Sequence, residues 1–308
     1  MRFDGVVEHF FRRGFAVSDG SLPGSHGAAR RLNRATSGLS AHTPIRIASL
    51  VPSLTELLVA MGLREHIVAR TGFCIHPTEA VKNIPKVGGT KDVNLGKLRT
   101  LAPSHVLVNV DENRLELAQA LREFVPHVLV THPLTPQDNL TLIDQMLEAF
   151  GDMAGVQGKA AMLREDFQQA WDTTATAKET LPPEQVLYLI WREPWMTVAR
   201  DTYIANMLAS VNWTTWPEAT GGEHGAARYP ALSGNEPWLQ NIDRVLLSSE
   251  PYRFSAAHIA DAQRLCPQAT VQLIDGELLS WYGPRAAAGL RYLNSLRGLS
   301  DPRHRGCD

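Results

Sequence analysis

The side chains in this sequence that could do chemistry gather in short clusters. Four lie in the second half: Trp191-Arg192-Glu193-Pro194-Trp195, Arg228-Tyr229-Pro230, Glu250-Pro251-Tyr252-Arg253-Phe254, and Asp275-Gly276-Glu277 with Ser280-Trp281-Tyr282-Gly283-Pro284-Arg285. Large flat side chains stack on planar ligands, and arginines supply fixed charge for carboxylate or phosphate groups. Trp191, Trp195, Tyr229, Trp281 and Tyr282 are therefore candidate walls of a ligand site, with Arg192, Arg285, Glu250 and Asp275 as candidate polar anchors. A single tryptophan is more often core than ligand contact. Recurrence in four equivalent places favours a site.

The first half offers Gly72-Phe73-Cys74-Ile75-His76-Pro77, where Cys74 and His76 alternate and would project the same way on an extended segment. Two such ligands on one face suit a metal, although no third ligand lies near and a pocket wall is the plainer reading. Val87-Gly88-Gly89-Thr90-Lys91-Asp92 permits close backbone approach to a ligand. Thr90 there, and Asn113 in Asp111-Glu112-Asn113-Arg114, are further candidate contacts. Asp111 and Glu112 also suit the first turn of a helix electrostatically. The glycine run is neither GxGxxG nor GxxxxGK[ST], and no GxSxG elbow or HExxH helix is present, so no nucleotide or hydrolase motif is legible.

These clusters need strand ends to hold them. Ile45 to Val51, Ile67 to Thr71, His105 to Val110 and Val125 to Thr131 read as short buried strands. Between them come helical stretches to Met61, over Leu95 to Leu101, from Asp111 to Phe124, and over Asn139 to Phe150. Ser53-Leu54-Thr55-Glu56 after Pro52 matches a capping box at a helix start, where Ser53 and Thr55 either serve as caps, the plainer reading, or face the crevice. Strand and helix in alternation predict a parallel sheet covered on both faces. The second half repeats the plan. Strands are expected at Gln185 to Trp191, Ile242 to Ser248 and Thr270 to Ile274, and helices at Asp201 to Val211, His258 to Leu265 and Arg285 to Leu296. Each chemical cluster lies just beyond a strand end, where open α/β sheets bind ligands.

From Asp152 to Thr180, apolar Val156, Ala160, Leu163, Phe167, Ala170 and Trp171 recur at three- and four-residue steps, and Pro182 and Pro183 stop the pattern. That is an amphipathic helix of about 40 Å, read as a strut between two lobes. The expected fold class is α/β, two Rossmann-like lobes with mostly parallel sheets joined by one long backbone helix. The expected divisions are a weakly ordered leader over 1–44, a first lobe over 45–151, the helix over 152–181, a second lobe over 182–298 and a tail over 299–308.

With 30 basic and 32 acidic residues among 308, the formal charge is −2, which gives no global field for nucleic acid or an anionic membrane. Cys74, Cys266 and Cys307 form no CxxC pair. No apolar run is long enough for a transmembrane helix. Glu8, His9, Arg12 and Arg13 interrupt the apolar residues between Val6 and Phe15, so no export signal is legible. The cytoplasm is therefore expected, with the periplasm as the alternative if the start is misassigned.

The runs RIASLVPSLTELLVAMG, RTGFCIHP, KVGGTKDVNL, LAPSHVLVN and DENR, with IWREPWMTVARDTYI, DRVLLSSEPYRF and LIDGELLSWYGPR, together resemble the helical-backbone metal receptors. These are the class III substrate-binding proteins for cobalamin, haem and ferric siderophores that serve ABC importers. The resemblance spans about Ile45 to Arg297 and is closest to the cobalamin-binding branch. It implies a non-enzymatic, monomeric receptor with a corrinoid or related metal chelate between the lobes, no nucleotide cofactor, and a permease as partner. His76 or Cys74 would be candidates for an axial ligand on the metal. It also implies transporter docking through one glutamate per lobe: Glu236 falls at the second-lobe position, and Gly96 falls where the first-lobe glutamate is expected. Gly89 and Thr90 fall near where some relatives place a stacking tryptophan. Alternative readings are a ferric siderophore or haem receptor, a corrinoid- or tetrapyrrole-processing enzyme in the same cleft, or a scaffold without a ligand.

Overall fold

The computed structural model describes residues 44–222 and 226–299. The expected leader and tail, apart from Pro44 and Leu299, lie outside the described residues.

The first lobe alternates strand and helix. Its elements are β1 (Ile47–Ser49), α1 (Pro52–Ala60), β2 (Ile67–Arg70), α2 (Thr78–Val81), α3 (Leu95–Leu101), β3 (His105–Asn109), α4 (Leu115–Arg122), β4 (His127–Thr131) and α5 (Asp138–Phe150). The long helix α6 (Val156–Lys178) follows. The second lobe then runs β5 (Glu184–Leu189), α7 (Tyr203–Ala209), β6 (Trp213–Thr215), β7 (Arg244–Ser248), α8 (Ile259–Leu265), β8 (Thr270–Ile274), α9 (Gly276–Ser280) and α10 (Arg285–Leu296).

Both sheets are parallel, with strand orders β2-β1-β3-β4 and β6-β5-β7-β8. The two lobes thus share one topology, and the expected repetition of architecture holds. Helices on both faces explain why Ile47, Ala48, Val106, Leu107, Leu187 and Leu246 are all fully buried without alternation. In each lobe the last strand, β4 or β8, lies at a sheet edge and keeps exposed positions.

Helix α6 spans 23 residues, about 34 Å at 1.5 Å per residue, and stops short of Thr180. Val156, Ala160, Phe167, Ala170 and Thr174 form its buried stripe. It packs against α5 of the first lobe and α10 of the second. Arg291 in α10 reaches Asp166 at 2.5 Å, and the Asn294 amide donates to Thr174 Oγ1 at 2.9 Å. The strut is therefore seated on both lobes by packing and by polar contacts.

The expected capping box does not form. Val51 occupies the cap position and Pro52 the first turn of α1, so Ser53 lies inside the helix. Thr55 Oγ1 donates back to Val51 O at 3.0 Å or to Ser49 Oγ at 2.8 Å. Ser53 and Thr55 are buried, and Glu56 leaves the helix start for Arg285 on the other lobe.

Gly289 sets the closest approach between α10 and its neighbours. A Cβ there would strike the Leu278 carbonyl oxygen and come within 2.9 Å of Met207 Cε. Alanine normally favours a helix by about 1 kcal/mol over glycine, whereas overpacking costs about 1–3 kcal/mol or more. Because the obstacle is backbone, the clash outweighs the helical gain. Gly289→Ala is expected to lower the thermal unfolding midpoint, and a raised midpoint would refute this packing.

Candidate functional site

The loops beyond the C-terminal ends of strands in both sheets carry the polar groups. In the first lobe these are the loops after β2, after α2 and after β3. Arg70, almost fully buried, donates to Val81 O at 2.9 Å, to Thr71 O at 3.1 Å and to Cys74 O at 3.0 Å, fixing the loop that carries Phe73 to Pro77. Asn113 ties three segments together: its Oδ1 accepts from Asn109 N at 2.9 Å, and its amide donates to Thr90 O at 2.8 Å and Leu50 O at 3.4 Å. Thr90 and Asn113 are both buried. Asn113 is thus a brace of the loop that carries Thr90.

Cys74 and His76 do not converge. The Cys74 thiol is fully buried beside Thr71 Oγ1 at 3.1 Å and Ser49 O at 3.8 Å, and burial pushes its pKa up. The segment turns instead of extending, so the alternation that would aim both side chains one way is lost. His76 Nε2 lies 3.5 Å from Glu277 Oε1 on the second lobe, and its ring meets Trp281 edge-on with centroids 5.7 Å apart. No group of three His, Cys, Asp or Glu side chains among the described residues is placed to hold a metal ion.

The second lobe supplies the other wall. Arg285 lies over the Trp281 ring at 4.5 Å, and its guanidinium pairs with Glu277 at 2.5 Å and with Glu56 of the first lobe at 2.6 Å. Glu250 Oε1 accepts from Trp281 Nε1 at 2.9 Å and from the Ser280 hydroxyl, which fixes the indole. Burial, with the charges of Glu277 and Glu112, raises the Glu250 carboxyl to a pKa of about 7 against these hydrogen bonds. Tyr282 is 7% exposed and meets Tyr203 edge-on. Its hydroxyl has no hydrogen-bond partner of good geometry, although the Ser53 and Thr131 hydroxyls are near enough to act on it. Burial, then the Glu112 charge, holds this phenol far above its usual range. Tyr229 is held high by burial and by Asp111 and Glu112.

Three groups escaped the sequence-based candidate set. Arg228 is fully buried, with Nε 2.9 Å from Asp111 Oδ1 of the first lobe and Nη1 donating to Gly222 O at 2.7 Å. Lys91 Nζ donates to Asp111 O at 2.7 Å. Burial raises the Glu112 carboxyl, with Lys91 opposing the shift and Asp111 adding to it. Asp111 and Glu112 lie between the end of β3 and the start of α4, separated from β3 by Val110, so their position near a strand end was the signal that could have marked them.

The remaining candidates have structural work. Asp275 caps α9 by accepting from Glu277 N at 3.0 Å and Leu278 N at 3.3 Å. Trp195 stacks on Phe254 at 6.0 Å against the second-lobe core. Arg192 pairs with Asp261 and, with Trp195, lines an open groove of about 560 Å³ together with Leu232 and Arg264. That groove does not include His76, Trp281 or Arg285. Trp191 is half-buried and meets Tyr252 edge-on at 5.2 Å. Glu236 is half-buried near the surface. Burial acts to raise its pKa, but hydrogen bonds from Ser233 N at 2.6 Å and Gly234 N at 3.0 Å win and hold it low.

Glu250 makes stability depend on pH. In the unfolded chain its proton leaves near the ordinary 4.5, and in the folded protein near 7. Between these values the unfolded state binds fewer protons, so this group's contribution falls as pH rises, by about 3 kcal/mol in all. Glu250→Gln keeps an acceptor for Trp281 and removes the titration. Denaturation of both proteins at about pH 5 and about pH 8 should show the variant gaining on the parent at the higher pH. Equal slopes would overturn this assignment.

The model of the periplasmic binding protein family matches residues 47–246. A vitamin B12-binding protein of Vibrio vulnificus is 25% identical over 218 residues, 69% of this chain and 71% of that protein. An uncharacterised ABC transporter substrate-binding lipoprotein of Bacillus subtilis is 27% identical over 188 residues, 58% of this chain and 59% of that protein. The chain thus aligns with less than two thirds of the Bacillus lipoprotein. The crystal structure of a periplasmic haem-binding protein of Vibrio cholerae superposes with a TM-score of 0.65 at 23% identity, covering 82% of this chain and 99% of that one. Two identically ordered parallel sheets, a connecting helix and a family match over most of the described chain lead to one conclusion: the chain belongs to the periplasmic binding protein family, a family of substrate-binding receptors and not of enzymes.

Proposed function

We propose that this chain is a receptor for a corrinoid held between its lobes, and that it delivers this ligand to an ABC importer. The observation that carries the reading is the aromatic wall around Trp281. Its indole is fixed by Glu250, covered on one side by Arg285 and met edge-on by His76 from the opposite lobe. Tyr282, the next residue in the chain, is buried beside it against Tyr203. A flat chelate gains from such preorganised faces, since little side-chain freedom is left to lose on binding. The vitamin B12-binding relative supports the ligand, and the lipoprotein relative supports a transporter partner. Glu236 is the docking residue on the second lobe. The matching compartment is the periplasm, the alternative of the sequence reading, in keeping with the relatives' names.

Titration of the full chain with cobalamin, followed by calorimetry and visible absorption, tests this. Saturable binding at one site is expected, weakened about tenfold or more by Trp281→Ala. Absence of heat and of any spectral change would remove the corrinoid and turn the search to haem and ferric siderophores. Aquocobalamin in the same cell reads axial ligation: a shifted spectrum that reverts in His76→Ala assigns it to His76, and an unshifted one sinks that role.

A further inference from the structure

The wall proposed for the ligand carries its own cover. Trp281 is only 9% exposed. Arg285 lies over its ring at 4.5 Å, Glu250 accepts from its N–H at 2.9 Å, and His76 meets it edge-on from the first lobe with centroids 5.7 Å apart. A planar ligand stacks on this indole only after one of the three has moved.

The three are not equally held. Arg285 is clasped by Glu277 at 2.5 Å and by Glu56 of the other lobe at 2.6 Å, and Glu250 also binds the Ser280 hydroxyl. The His76 ring makes no hydrogen bond among the described residues: its Nε2 lies 3.5 Å from Glu277 Oε1, and its side chain is 32% exposed. The backbone beneath it is anchored, since Arg70 donates to the Thr71 and Cys74 carbonyls and the Cys74 side chain is fully buried. His76 therefore leaves the indole by rotating its side chain, with the loop in place. Histidine is also the side chain whose charge ordinarily changes between about pH 5 and pH 8. Protonated, it is attracted to Glu277; neutral, it keeps only the ring contact. The other charged groups on this wall are Arg285 and Glu56, which offset each other, and Glu250, which titrates in the same range, at about 7.

We infer that His76 is the movable cover of the Trp281 wall: it rests on the indole while it is paired with Glu277, and a planar ligand binds by displacing it. The inference rests on the reading of this wall as the ligand face and adds the step that clears it. Its consequence is a ligand held less tightly in mild acid than in mild base.

Cyanocobalamin is the probe, because cyanide and its own benzimidazole base fill both axial positions and exclude coordination by His76. Its affinity for the full chain is measured by calorimetry at about pH 5.5 and about pH 8. The parent is expected to bind about threefold more weakly at the lower pH, the scale of one partly exposed ion pair. His76→Gln and Glu277→Gln should each bind equally at both, whereas Glu250→Gln should keep the difference. A parent without pH dependence, or a His76→Gln variant that retains it, would overturn the cover while leaving the corrinoid reading intact. Loss of the difference in Glu250→Gln would assign it to that carboxyl and overturn the cover too. A second measurement needs no ligand. Acrylamide quenching of the Trp281 emission, taken as the difference between each protein and its Trp281→Phe counterpart, should rise from the parent to His76→Ala at about pH 5.5. Unchanged quenching would overturn the inference, and a rise in a protein that binds no cyanocobalamin would uphold the cover and overturn the corrinoid reading alone.

Discussion

The contact on which the cleft depends is the burial of Arg228 against Asp111. A guanidinium with no exposed surface is tolerated only if acceptors meet its donors, because the desolvation cost otherwise exceeds any gain. Here Asp111, the Gly222 carbonyl and the Asp201 carbonyl take that role from three segments. Asp111 belongs to the first lobe and Arg228 to the second. Closing this pair therefore fixes where the end of β3 stands relative to the second sheet. His132 Nε2, 3.6 Å from Asp111, and Lys91, whose ammonium reaches the Asp111 carbonyl, tie the loops after β4 and α2 to the same point.

Arg285 performs the complementary task at the other wall. Its two carboxylate partners lie on opposite lobes, while its flat face covers Trp281. One side chain thus holds a stacking surface and a lobe contact at once, which lysine could not do with a point charge. Glu250 holds the same indole from its N–H edge. Trp281 is consequently fixed on two sides before any ligand arrives, at the expense of a carboxyl group whose pKa is raised to about 7.

How far this could be read from sequence follows from the range of each interaction. Strands such as β8, expected at Thr270 to Ile274 and found there, are specified by local apolar runs. The three-residue β6 leaves too short a pattern to see, and α9 hides inside a cluster that looks like a loop. The capping box failed because Pro52 itself opens the helix, a competition between two local signals. The strand-end positions of His76, Glu250, Trp281 and Arg285 were legible because open parallel sheets place functional groups there. Their partners were not: Arg228 and Asp111 are 117 residues apart in the chain, Arg285 and Glu56 are 229 apart. Trp195 shows the converse, since aromatic composition alone does not distinguish a ligand wall from a side chain stacked on Phe254 in the core.

The same cross-lobe contacts constrain how a ligand can be held. Opening the lobes as a hinge would expose Arg228 and break its pair with Asp111, and would part Arg285 from Glu56, before any ligand contact compensated. Both charges of each pair would be rehydrated on opening, so these pairs set the position of the lobes more than they hold them shut. The helix α6, packed on α5 and α10, resists the same motion from behind. Cross-lobe pairing in front and helix packing behind together fix the geometry of the strand ends, which is the preorganisation that limits the entropy a bound group would cost.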